Sequence, residues 1–134
     1  MDALYQKQIL QFAQQSRTSS FDPSAPLQAS HNNPTCGDRV DISFSCTDGA
    51  IHNIGVSVRG CALCEAGAGL LLKKFEGART ADARKMTTDF SNWIAKRTEY
   101  APNEDMATFV PVRDIRNRHK CVLLAFDAAV KAMD

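Results

Sequence analysis

Two alternating apolar runs joined by a tight-turn signal constrain this chain more than anything else in it. Val40, Ile42, Phe44 and Cys46 recur at every second position after Arg39, and Ile54, Val56 and Val58 repeat the pattern after the Asp48-Gly49 pair. Alternation of period two puts one set of side chains on one face of a strand, and Asp-Gly is a preferred hairpin turn. The reading is an antiparallel hairpin with one buried face, and that face requires a covering layer.

The covering layer is legible as helices. Tyr5, Ile9 and Phe12 form one stripe over residues 3–15. After Gly60 a helix begins near Cys61 or Ala62, and its small residues, Ala66 to Gly69, permit close approach by a neighbour at some cost in helix propensity. Residues 80–98 form the clearest helix, with Thr80 as the expected cap and Met86, Phe90, Trp93 and Ile94 as its apolar stripe. A last helix is expected from Asn117 to Met133. Residues 16–32 and 98–113 read as loop and connecting segment. No internal repeat or low-complexity tract interrupts this order. The sum is one α+β domain over residues 1–134, a small antiparallel sheet with helices packed on one face.

Composition limits the partners. The net charge is +1 and 23% of residues are charged, values that favour neither a nucleic-acid binder nor a disordered chain. The basic run Arg113, Arg116, Arg118 and Lys120 lacks an aromatic platform, so it reads as a solvated face or a contact for an acidic partner. No apolar run is long enough to span a membrane, and the start of the chain has no secretory pattern. The expected location is the cytoplasm.

Five cysteines, an odd number, then read as reduced thiols rather than a disulfide framework. Cys36 lies in "NPTCGD", where Pro34 stiffens the approach, Gly37 permits an unusual backbone angle and Asp38 places a carboxylate two residues on. A thiol and a carboxylate on such a turn suit a metal site; an Asx-type turn with an incidental cysteine is the plain alternative. Cys61 sits at a strand-to-helix step, where the helix end favours a thiolate. Cys64 completes a C-x-x-C spacing, and its preferred reading is a small buried helix residue. Cys121 is flanked by His119, Arg118 and Lys120, cations expected to lower its pKa; burial on an amphipathic helix is the competing reading. Cys46 is expected in the core, and His31 and His52 at the surface.

Together, "NNPTCGDRV", "GCALCEAGAGLL" and "RHKCVLLAFDAA" resemble the three cysteine segments of the IscU, NifU N-terminal and SufU family of iron–sulfur cluster assembly proteins. The resemblance spans nearly the whole chain. It implies a three-stranded antiparallel sheet and a shared site formed by Cys36, Asp38, Cys61 and Cys121. In the family these positions hold a nascent [2Fe–2S] cluster or a zinc ion. The resemblance also implies persulfide sulfur from a pyridoxal-phosphate cysteine desulfurase, with Cys36 as candidate acceptor, and delivery to apo iron–sulfur acceptor or carrier proteins. A monomer or transient dimer is expected, with no nucleic acid and no membrane.

Within the family, the sixty-residue step from Cys61 to Cys121 and the Lys120 directly before Cys121 resemble SufU-type members. IscU-type members carry histidine in that place; His119 is one position off. Cys64 departs from the pattern, as a fifth, exchanging ligand or as a small helix residue. The resemblance therefore carries two functions, a cluster scaffold and a zinc-dependent sulfurtransferase. A third reading, outside the family, is a thiol–disulfide oxidoreductase using Cys61 and Cys64.

Overall fold

The computed structural model describes residues 3–34 and 37–134. The chain runs α1 (Ala3–Arg17), β1 (Leu27–Asn33), β2 (Asp38–Thr47), β3 (Ala50–Arg59), α2 (Ala62–Phe75), α3 (Thr80–Ile94), a short α4 (Glu104–Ala107), two 3₁₀ turns (Val110–Asp114 and Arg116–Arg118) and α5 (His119–Met133). The strands form one antiparallel sheet in the order β1-β2-β3. The α+β architecture with a three-stranded sheet and a helical layer is the expected one.

The hairpin turns at Asp48 and Gly49, both at positive φ, the geometry that matches strand twist. Val40, Ile42 and Phe44 are buried as the alternation requires. In β3 an irregularity in register falls opposite Phe44, between the pairs Ser43–Gly55 and Ser45–His52, and Asn53 takes a positive φ there. The extra residue lets Ile51 and Val56, an odd number of positions apart, both enter the core. Cys46 does not join them. It is exposed near the hairpin tip, with Thr47 beside it. Alternation determines the face of a strand; a helix must still reach that far along it.

β1 forms within a segment that reads as loop. Its residues, LQASHNN, carry little apolar signal and only Asn33 is buried. As an edge strand it is held by backbone pairing to β2, from Leu27 opposite Phe44 to Asn33 opposite Asp38. Backbone pairing leaves no hydrophobic period to read.

The helices cover one face of the sheet. α5 lies on β1 and β2, α2 on β3, α1 packs on α2, and α3 packs on α5. The small residues of α2 serve the close approaches expected of them. A Cβ on Gly67 would stand 2.2 Å from the Val122 carbonyl oxygen of α5, and one on Gly69 1.8 Å from that of Phe12 in α1. Aromatic contacts join the layer: Phe126 lies 5.3 Å from Phe90 and 5.5 Å from Phe75 between ring centroids.

Three helix boundaries differ from expectation. Arg79, not Thr80, is the cap residue of α3 and makes no side-chain capping bond. α3 ends at Ile94, because Lys96 takes a left-handed conformation and the Arg97 N–H turns back to the Asn92 carbonyl at 2.9 Å. α5 starts at His119, since Arg116–Arg118 form a tighter 3₁₀ turn. No helix among the described residues is long and apolar enough to cross a membrane.

Candidate metal centre

Three element ends meet at one end of the sheet, where the central strand β2 starts. Asp38 is the first residue of β2, Cys61 caps α2 directly after β3, Cys64 lies in the first turn of α2, and Cys121 lies in the first turn of α5. The turn before Asp38 has the character expected of a glycine there. Gly37 sits at φ +74°, and its N–H donates to the Asn33 carbonyl at 2.8 Å. This fixes the start of β2, and with it the Asp38 carboxylate. Cys36 lies outside the described residues.

One donor atom from each of Asp38, Cys61, Cys64 and Cys121 lies within 4.8 Å of all the others. The Cys121 thiol donates to Asp38 Oδ2 at 3.3 Å, and Cys61 Sγ contacts Cys64 Sγ at 3.8 Å. Asp38, Cys64 and Cys121 are buried, while Cys61 remains partly exposed and opens the group to solvent. The Cys61 side chain makes no capping bond to α2, so its sulfur is not committed to the helix. Gly60 leaves room for this arrangement: a Cβ there would stand 2.8 Å from Asp38 Oδ1 and 3.1 Å from Cys64 Sγ.

The electrostatics favour the protonated Cys64 and Cys121 thiols until a cation arrives. Burial, followed by the Asp38 hydrogen bond and the neighbouring Cys61, pushes the Cys121 thiol up to about 11, with Arg118 acting in the opposite direction. Burial likewise drives Cys64 well above the ordinary thiol range, reinforced by Asp38 and by the other two cysteines. The expectation that flanking cations would lower the Cys121 pKa is therefore corrected. Desolvation beside a carboxylate outweighs Arg118. Three sulfurs and a carboxylate at this separation are a donor set suited in number and softness to Zn²⁺ or iron. Binding such an ion would release the thiol protons.

Neither His119 nor His31 belongs to this group. His119 Nε2 lies 3.0 Å from the carbonyl oxygens of Val112 and Arg113. His31 sits in β1 opposite Val40. Arg113 does not belong to a solvated basic face either. Its guanidinium lies 4.9 Å from the Trp93 ring centroid and donates to the Trp93 and Thr98 carbonyls, each at 2.8 Å. A cleft of about 430 Å³ lined by Lys96, Arg97, Arg113, Asp114, Arg116 and His119 contains none of the thiols. The family resemblance groups Asp38, Cys61 and Cys121, and Cys64, read as a small buried helix residue or a fifth ligand, is buried in α2 beside them. The C-x-x-C spacing was the available signal.

The model of the NifU-like N-terminal domain matches residues 4–132. The chain belongs to this family. The zinc-dependent sulfurtransferase SufU of Bacillus subtilis is 23% identical to this NifU-like chain, over 99% of the chain and 91% of the relative. The iron–sulfur cluster assembly scaffold protein IscU of Thermotoga maritima is 23% identical, over 97% and 92% respectively. Among solved structures, a nitrogen-fixing NifU-like protein (N-terminal) from Brucella abortus superposes with a TM-score of 0.85 at 26% identity, covering 96% of this chain and 91% of that one. A SufU-type structure from Fervidobacterium islandicum shares the fold, with a TM-score of 0.80 at 20% identity and coverage of 96% and 95%.

Proposed function

We propose that this NifU-like chain is an iron–sulfur cluster assembly scaffold. Its site residues are Cys36, Asp38, Cys61 and Cys121, its cargo is a nascent [2Fe–2S] cluster, and its sulfur comes as persulfide from a cysteine desulfurase. The observation that carries the reading is the convergence of Asp38, Cys61 and Cys121 from three element ends, with donor atoms within 4.8 Å. Thiolates favour iron and sulfide, while one carboxylate is a weaker and harder ligand that eases release to an apo acceptor protein. The partly exposed Cys61 supplies the open side through which cargo enters and leaves.

The sulfur step is a thiol exchange. The Cys36 thiolate attacks the outer sulfur of the desulfurase persulfide. A new S–S bond forms on Cys36, the donor S–S bond breaks, and the desulfurase cysteine leaves as thiolate with no net redox change. The setting for this exchange is the cytoplasm.

A second reading is a zinc-dependent sulfurtransferase. The long Cys61–Cys121 step and the similarity to the Bacillus subtilis protein of that name over 99% of the chain favour it. A resident zinc ion would be held by Asp38, Cys61 and Cys121, and would supply Lewis acidity that keeps sulfur ligands deprotonated at neutral pH.

Anaerobic incubation with ferrous iron, a cysteine desulfurase and cysteine, whose excess thiol reduces persulfide sulfur to sulfide and is itself oxidised to cystine, tests both. A scaffold develops visible sulfide-to-iron absorbance and passes it to an apo ferredoxin. A sulfurtransferase remains colourless, retains zinc and carries one added sulfur on the Cys36 peptide by mass spectrometry. A colourless, metal-free product without persulfide would sink both readings.

A further inference from the structure

Cys64 is the one thiol of the cluster outside the four positions carried by the family resemblance. Its Sγ lies 3.8 Å from Cys61 Sγ, and its donor atom falls within the same 4.8 Å limit as those of Asp38, Cys61 and Cys121. The cap and first turn of α2 bring residues three apart onto one side of the helix. Gly60 leaves clear the space shared by the Cys64 sulfur and the Asp38 carboxylate, since a Cβ there would approach both within 3.1 Å. Cys64 is fully buried and borders the apolar core, as a small core residue would. Its sulfur also meets a second thiol and faces a carboxylate.

We propose that Cys64 is a metal ligand of this chain. Asp38, Cys61, Cys64 and Cys121 then form a complete four-donor set, three sulfurs and one oxygen, that seats a thiophilic divalent cation without Cys36. Cys36 is thereby available to accept sulfur while the cation stays in place. The inference rests on the proposed assembly function, which it deepens by separating the metal-holding thiols from the sulfur-accepting one. The C-x-x-C pair contributes two ligands from one helix start, a spacing common in zinc sites.

Zinc binding by the full chain under reducing conditions tests it, with stoichiometry from elemental analysis and affinity from competition with a chromogenic chelator. Cys36→Ser is expected to keep one zinc per chain, with affinity within about threefold of wild type, and Cys36→Ser/Cys64→Ala to lose about tenfold or more. Equal loss in the single and double variants would overturn the proposal, and so would equal retention. Should the double variant fail to fold, cobalt(II) absorbance of Cys36→Ser decides: charge-transfer intensity for three thiolates supports the proposal, and intensity for two refutes it. A wild-type chain that binds neither zinc nor iron would refute the assembly function itself. Full wild-type binding with no dependence on Cys64 would refute only this ligand.

Discussion

The Cys121 thiol donates to the Asp38 carboxylate across 3.3 Å, joining residues 83 positions apart at the starts of α5 and β2. Neither element alone presents a site. The contact exists because α5 packs on β1 and β2 and brings its first turn level with the start of β2.

Gly60→Ala tests how closely the site is built. The new methyl group would stand 2.8 Å from Asp38 Oδ1 and 3.1 Å from Cys64 Sγ, so the donors must part. Zinc affinity is expected to fall about tenfold or more. Far-ultraviolet circular dichroism should remain that of the wild type. Unchanged affinity would show that the donors tolerate the displacement.

Alkaline pH should destabilise the metal-free protein. The Cys121 thiol rises from 9.0 in the unfolded chain to about 11 in the fold, because of burial and then Asp38. The folded state therefore holds a proton that the unfolded state releases first. Its contribution is intact below pH 9.0 and is lost as pH rises towards about 11. Melting temperatures of reduced, metal-free protein should fall across this window, and the fall should be smaller in Cys121→Ala.

Arg113 is expected to matter for stability and not for metal. Arg113→Ala removes a cation–π contact with Trp93 and two hydrogen bonds to carbonyls. A loss of about 1–3 kcal/mol in urea denaturation follows. Zinc stoichiometry should be unchanged. Lysine should restore only part of the stability, since it lacks the planar fork.

Cys46 provides the internal control. It is exposed and its donor atom is not in the thiol cluster. Cys46→Ser should alter stability by less than about 0.5 kcal/mol and leave zinc affinity unchanged. In the zinc-loaded wild type, Cys46 should be alkylated rapidly in peptide mapping.

Cys46 and Cys64 show where sequence stops and tertiary structure begins. The sequence alone determined the hairpin, its turn, the faces of the main helices and the cysteine spacings, because short-range periodicity and turn chemistry act over a few residues. The grouping of Asp38, Cys61 and Cys121 came from the resemblance of the three cysteine segments to the family, not from this local pattern. The sequence placed Cys46 in the core, yet the residue is exposed near the hairpin tip. It left Cys64 open as a small buried helix residue or a fifth ligand, and the residue is buried in α2 with its sulfur among the other donors. β1 escaped notice because an edge strand held by backbone pairing carries no apolar period. Only the packing of α5 and α2 on the sheet decided which thiols meet, which are desolvated, and that burial beside Asp38 outweighs Arg118 at Cys121. Those outcomes depend on distances between element ends remote in sequence, and local pattern holds no record of them.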